Sequence, residues 1–158
     1  MINKKYYLAL IFLASTLFSK INAQAKISNE DVMSSFNNLF EAVDNDVDQF
    51  RNLVTEDFFI FENSRRYNTE EFIDFVKTFD IISSKRSFEN IVIDTDYNSA
   101  HMSLTHFGEF LINTPEGKVK LEFEWLESVY LVKVNNKLKF KFYFSEAIET
   151  KTTNVETK

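Results

Sequence analysis

From residue 86 to residue 144 the apolar side chains recur at every second position. That period admits one kind of element, the half-buried β-strand with one face turned to a core. Four such runs stand out: 87–94, 100–112, 118–133 and 138–144. They are separated by the turn-like "DTDYNS" (94–99), by "NTPEGK" (113–118) with Pro115 and Gly117, and by Asn135-Asn136. Asparagine tolerates the left-handed backbone that a two-residue hairpin loop requires. Short turns between consecutive strands dictate an antiparallel meander. The run at 118–133 would span roughly 50 Å if extended. Strands of that length twist, and they bend at bulges. A curved sheet with helices packed into its concave side encloses a space.

The period upstream is helical. "SNEDVMSSFNNLFEAV" (28–43) opens with Ser28, and Asp31 follows three residues on as in a capping box. Val32, Phe36, Leu39, Phe40 and Val43 make one apolar stripe. Val47, Phe50 and Val54 predict a second, short helix over 44–54. "DFFIFE" (57–62) is β-prone and "NSRRYN" (63–68) is loop-like. Asn68 with Glu71 caps a third helix over 68–79, with Phe72, Phe75, Val76 and Phe79 on one face. Helices first and a meander after them make an α+β layout in one domain.

The first 25 residues carry Lys4 and Lys5, an apolar run from Tyr6 to Phe18, and small residues at Ala23 and Ala25. This is the layout of a cleaved signal peptide, and the run is short for a membrane span of about 20 residues. The expectation is a secreted or periplasmic protein, off the membrane after cleavage. Cysteine is absent, so disulfides and lipid attachment through a thiol are excluded. Loss of Lys4, Lys5 and Lys20 leaves 15 basic against 24 acidic residues, a net charge of −9. Such a surface is a poor partner for nucleic acid or anionic lipid. The polar segment 149–158 reads as a disordered tail, which leaves 26–148 as the domain.

Three stretches, "FNNLFEAVDNDVDQFRNLVTEDFFIF" (36–61), "YNTEEFIDFVKTF" (67–79) and "WLESVYLVKVNNKLKFKFYFSEAI" (125–148), resemble the nuclear transport factor 2-like or SnoaL-like superfamily. The last is similar to the family ending W-x-E-S-x-x-L-x-K-x-x-G-x-W-K-I-x-x-x-H-S. Asn136 stands at its glycine, Leu138 at its tryptophan and Phe144 at its histidine. The resemblance implies three N-terminal helices packed on a strongly curved antiparallel sheet, a cone-shaped α+β barrel of cystatin-like or SnoaL-like type. It implies a conical cavity that isomerases, dehydratases and cyclases of the superfamily use for acid–base chemistry, while other members only bind ligands or dimerise. It does not fix a function.

Glu127 falls on the apolar parity between Trp125 and Val129. A carboxylate in an apolar cavity titrates closer to neutrality and becomes a usable acid or base. Glu127 could instead be anchored to a cation, or a bulge near Leu126 would turn it outward. His106 shares its parity with Met102 and Leu104. It is either a hydrogen-bonded core residue or one half of an acid–base pair with Glu127. Asp57, Phe59, Tyr67, Trp125 and Phe144 are candidate ligand contacts, the aromatic ones lining the cavity or filling it. His101 lies on the polar parity. Two histidines without clustered partners predict no metal site, and no glycine loop suited to a phosphate-bearing cofactor occurs. Three function classes follow: a binder of a small apolar molecule, a cofactor-independent acid–base enzyme using Glu127 and His106, and a non-catalytic domain. The last would form a homodimer through an outer sheet face bearing Leu126, Tyr130, Val132 and Tyr143.

Overall fold

In a computed structural model, residues 25–155 are described. The expected signal peptide lies outside them, apart from its last residue. Helix α1 (Asn29–Asn45) is closed at its start by Ser28, whose Oγ accepts from the Asp31 amide while the Asp31 carboxylate accepts from the Ser28 amide. Asn68 and Glu71 make the same reciprocal pair at the start of α3 (Thr69–Val76). Each cap satisfies two amides that the first turn leaves open and contributes about 1 kcal/mol. The expected second helix is reduced to a 3₁₀ turn (Val47–Gln49) followed by α2 (Phe50–Leu53).

Six strands form one sheet: β1 (Val54–Glu62), β2 (Arg65–Asn68), β3 (Asp80–Thr95), β4 (Ser99–Thr114), β5 (Gly117–Val134) and β6 (Lys137–Val155). Their order is β2-β1-β6-β5-β4-β3. The meander β3 to β6 is antiparallel, as the turns dictate. One pair departs from the antiparallel expectation: β1 runs parallel to β6, which makes the sheet mixed. The helices separate β1 and β2 from the rest of the chain, so no hairpin constrains that pairing. The loop expected at 63–68 is mostly β2, joined to β1 by Asn63-Ser64, both at positive φ.

The apolar stripes of the helices pack on the concave face. Val32 and Phe36 are fully buried, and Phe36 packs edge-on against Phe40 and Phe88. Strand β5 keeps one parity inward along its whole length. Val129 and Leu131 are buried in the core, and Leu126 and Tyr130 face out. The anticipated bulge lies in β6 instead. Between the pairs Tyr130–Phe142 and Leu131–Phe140, Lys141 is an extra residue. The extra residue changes the parity of β6: Phe140 points in, and beyond it Tyr143 and Ser145 do, while Phe142 sits with Phe59 and Phe61. A second extra residue, Ile148, separates Ala147 from Glu149.

The segment expected to be a disordered tail is a strand as far as Val155. Residues 149–155 pair with 118–124 of β5. The exposed threonines 150, 152 and 153 are β-branched, and the partner strand supplies the hydrogen bonds that a polar composition alone does not suggest.

Candidate functional site

Between the helices and the concave face lies a cavity of about 470 Å³. Its walls are mainly apolar. Phe40 and Val43 come from α1, Phe72 and Phe75 from α3, and Leu121, Phe123 and Trp125 from β5. Gly108 on β4 leaves the space for these rings to lie on the sheet: a Cβ there would stand 2.7 Å from both Trp125 and Phe110. Trp125 in turn stacks on Phe123 at 4.6 Å and on the His106 ring at 4.7 Å.

Glu127 does face inward and is 5% exposed; His106 is 2% exposed. The two are bonded, His106 Nδ1 to Glu127 Oε1 at 2.9 Å. The other carboxylate oxygen accepts from the Tyr143 hydroxyl at 2.6 Å. On the far side of the imidazole, Arg86 Nη1 lies 3.3 Å from His106 Nε2. A guanidinium only donates, so Nε2 must present its lone pair and the ring proton sits on Nδ1. Arg86 is itself held by Asp44 through two bonds, Nε to Oδ2 at 3.1 Å and Nη2 to Oδ1 at 2.7 Å. Its plane lies between Phe40 and Phe110, 4.7 and 4.8 Å from their centroids. The result is one chain, Asp44–Arg86–His106–Glu127–Tyr143, running from α1 through β3, β4 and β5 to β6. Both ring nitrogens of His106 and both oxygens of Glu127 have partners within it. Burial and the adjoining Glu127 carboxylate hold the Tyr143 hydroxyl well above the ordinary phenol range, so it stays a donor.

The cavity has a second carboxyl, one not foreseen from the sequence. Glu62, at the end of β1, reaches into it beside Ser145. Burial pushes its pKa up to about 7, against the Ser145 hydrogen bond, and the negative charges of Glu127 and Glu146 add to the rise. The sequence signal for Glu62 was the parity of β1. Phe58 and Ile60 are buried, so Glu62 shares the inner face, whereas the expected parity put Phe59 inward. Asp57 was the cue, because placing Phe59 and Phe61 inward would also turn that charged residue inward.

Four expected ligand contacts are therefore corrected. Asp57 is exposed and bonded to Lys141 and to Thr55, which hold its carboxyl below the usual range. Phe59 and Phe144 share the opposite face of the sheet from the cavity, Phe59 packed on Phe142. Tyr67 is core, buried against Phe75 under α3, and does not line the cavity. Trp125 is the one of the five that lines it. Tyr143, expected on the outer face, is buried inside. His101 is exposed and bonded to Ser128. Among the described residues no group of three or more histidine or acidic side chains is placed to hold a metal.

No family model matches the chain. No curated protein matches it in sequence. Solved structures do resemble it. A protein of Novosphingobium aromaticivorans provisionally named an aromatic ring hydroxylase matches with a TM-score of 0.67 at 13% identity, over 80% of this chain and 96% of the other. A provisionally named scytalone dehydratase of the same organism gives 0.64 at 16%, over 80% and 88%. A nuclear transport factor 2-like protein of Cytophaga hutchinsonii gives 0.61 at 16%, over 77% and 100%. At these identities the likeness is one of architecture: the chain has the nuclear transport factor 2-like, cystatin-like cone fold.

Proposed function

We propose that this chain is an exported single-domain protein whose conical cavity binds a small, largely apolar molecule. The observation that carries this reading is an apolar chamber of about 470 Å³ whose buried His–Glu pair is tied on both sides, by Arg86 and by Tyr143. A volume of that size lies in the range of small-molecule sites. Binding of an apolar fluorescent probe should be saturable at one site per chain and should change the emission of Trp125, the single tryptophan. Ala147→Phe, which places a ring at the cavity wall, should weaken binding about tenfold or more. Equal probe affinity in that variant would place the probe elsewhere and remove the reading.

The acid–base enzyme reading with Glu127 and His106 as the catalytic pair is the alternative. The geometry disfavours it, because a general base needs a free lone pair facing the substrate. In this chain the His106 lone pair is taken by Arg86. Scytalone dehydratase and aromatic ring hydroxylase are names of proteins with this fold and support no reaction here.

The export proposal rests on the sequence of residues 1–25. Recovery of an intact Met1 in a membrane fraction would overturn it. A homodimer through the outer sheet face is the accompanying proposal, since Leu126 (47% exposed), Tyr130 (38%) and Phe61 (40%) leave apolar surface there. Sedimentation at micromolar concentration should give about twice the chain mass, and a monomer persisting at high concentration would refute it.

A further inference from the structure

The charges that border the cavity do not cancel. Arg86 is matched by Asp44. His106 and Tyr143 give Glu127 hydrogen bonds but no positive charge, so its negative charge remains. Glu62 adds a second carboxyl from the next strand but one: Ser145 of β6 is the register partner of Glu127 and lies beside Glu62. The groups around Glu62 are acidic or neutral on every side but one. Strand β6 brings Ser145 and Glu146, and β5 brings Glu127. On β2, its register partner Arg65 is turned to Glu71 at 3.9 Å and lies over the Tyr67 ring. Helix α3 faces the cavity with Phe72 and Phe75, and α1 with Phe40 and Val43. No ion pair reaches Glu62 among the described residues.

We propose that the cavity takes a cation: a molecule with an apolar body and one protonated amine, the amine seated at the Glu62 carboxylate and the Ser145 hydroxyl. This rests on the binding reading above and names the ligand class it requires. An anionic ligand would add a third negative charge to a chamber with mainly apolar walls. A neutral ligand would leave Glu62 without a counter-charge. An ammonium donates to Glu62 and relieves its repulsion with Glu127, while the aromatic walls accept the apolar body and the face of a cation alike. Glu62 must be ionised for this bond, so an amine competes with the proton that Glu62 holds up to about pH 7.

Three probes on one skeleton test this: phenylbutylamine, phenylbutanol and phenylbutanoate, titrated calorimetrically and by Trp125 emission. At pH 8 the amine should bind at least about tenfold more tightly than the alcohol, as one charge-assisted hydrogen bond provides. The acid should bind most weakly. At pH 5 the preference for the amine should contract. In Glu62→Gln it should fall below about threefold at pH 8. Equal binding of amine and alcohol by the parent at pH 8, or a preference for the acid, overturns the cation and leaves the apolar site standing. A preference for the amine that survives unchanged in Glu62→Gln also overturns it. Failure of all three probes to bind removes the binding reading itself, and this inference with it.

Discussion

Glu127→Ala is expected to cost about 3–5 kcal/mol of folding stability, because it leaves the His106 Nδ1–H and the Tyr143 hydroxyl buried without an acceptor. Domains of this size have about 5–15 kcal/mol in total. The variant should therefore lose much of its denaturation midpoint. Glu127→Gln keeps the shape: its oxygen accepts from His106, and its amide donates to the Tyr143 oxygen. It loses the charge assistance and leaves the Tyr143 hydroxyl proton without its acceptor, together about 1.5–3 kcal/mol. Urea melts of the three proteins at pH 7 check the order. An alanine variant as stable as the parent would mean that the carboxylate is not part of a closed buried network.

Glu62→Gln should act in the opposite direction, with a gain that builds from about pH 4.5 and is complete above about pH 7. Folding raises the Glu62 pKa from 4.5 to about 7. The folded chain therefore holds that proton more tightly than the unfolded one. Its contribution to stability is fully present below pH 4.5 and is lost as pH rises through about 7. Glutamine carries no charge to bury at any pH. The variant should match the parent at pH 4 and exceed it at pH 8 by about 1–3 kcal/mol, under the roughly 3.4 kcal/mol that the full difference between the two pKa values would give. Solvent at the half-buried carboxyl lowers the gain. Denaturant melts at the two pH values measure it. No gain at pH 8 would put the Glu62 carboxyl in water.

Much of this arrangement was legible in the sequence where one strand keeps one period. The parity of β5 from Val119 to Leu131 is unbroken, so the inward direction of Trp125 and Glu127 follows from alternation alone. His106 pairs in register with Trp125, two positions along from the Leu104–Glu127 pair and on the same face, which brings its ring within reach of the carboxylate. The two helix caps were legible because they are local, each closed within four residues. What alternation does not carry is a change of parity within a strand. Lys141 makes β6 change faces, so Phe144 went outward and Tyr143 inward against the simple pattern. In β1, Phe58, Phe59, Ile60 and Phe61 are apolar on both parities, and the choice between them hid Glu62. Arg86 was hidden differently. Its role comes from a contact with Asp44, 42 residues away, that no spacing encodes.

The division of labour inside the cone follows from these contacts. Arg86, His106, Glu127 and Tyr143 tie α1 to four strands through polar bonds that leave no buried side-chain group unsatisfied among the described residues. Such a network fixes the relative placement of the sheet and helix that bound the cavity. The chemistry open to a ligand is then left to the apolar walls and to Glu62.

The most direct measurement of this account is nitrogen NMR of the protein carrying labelled histidine at neutral pH. The His106 ring is expected to be neutral, with its proton on Nδ1 and Nε2 unprotonated, unchanged when an apolar probe fills the cavity. A ring protonated on Nε2, or one whose Nε2 shifts as the probe binds, would contradict it. Either result would restore His106 and Glu127 as an acid–base pair open to a substrate.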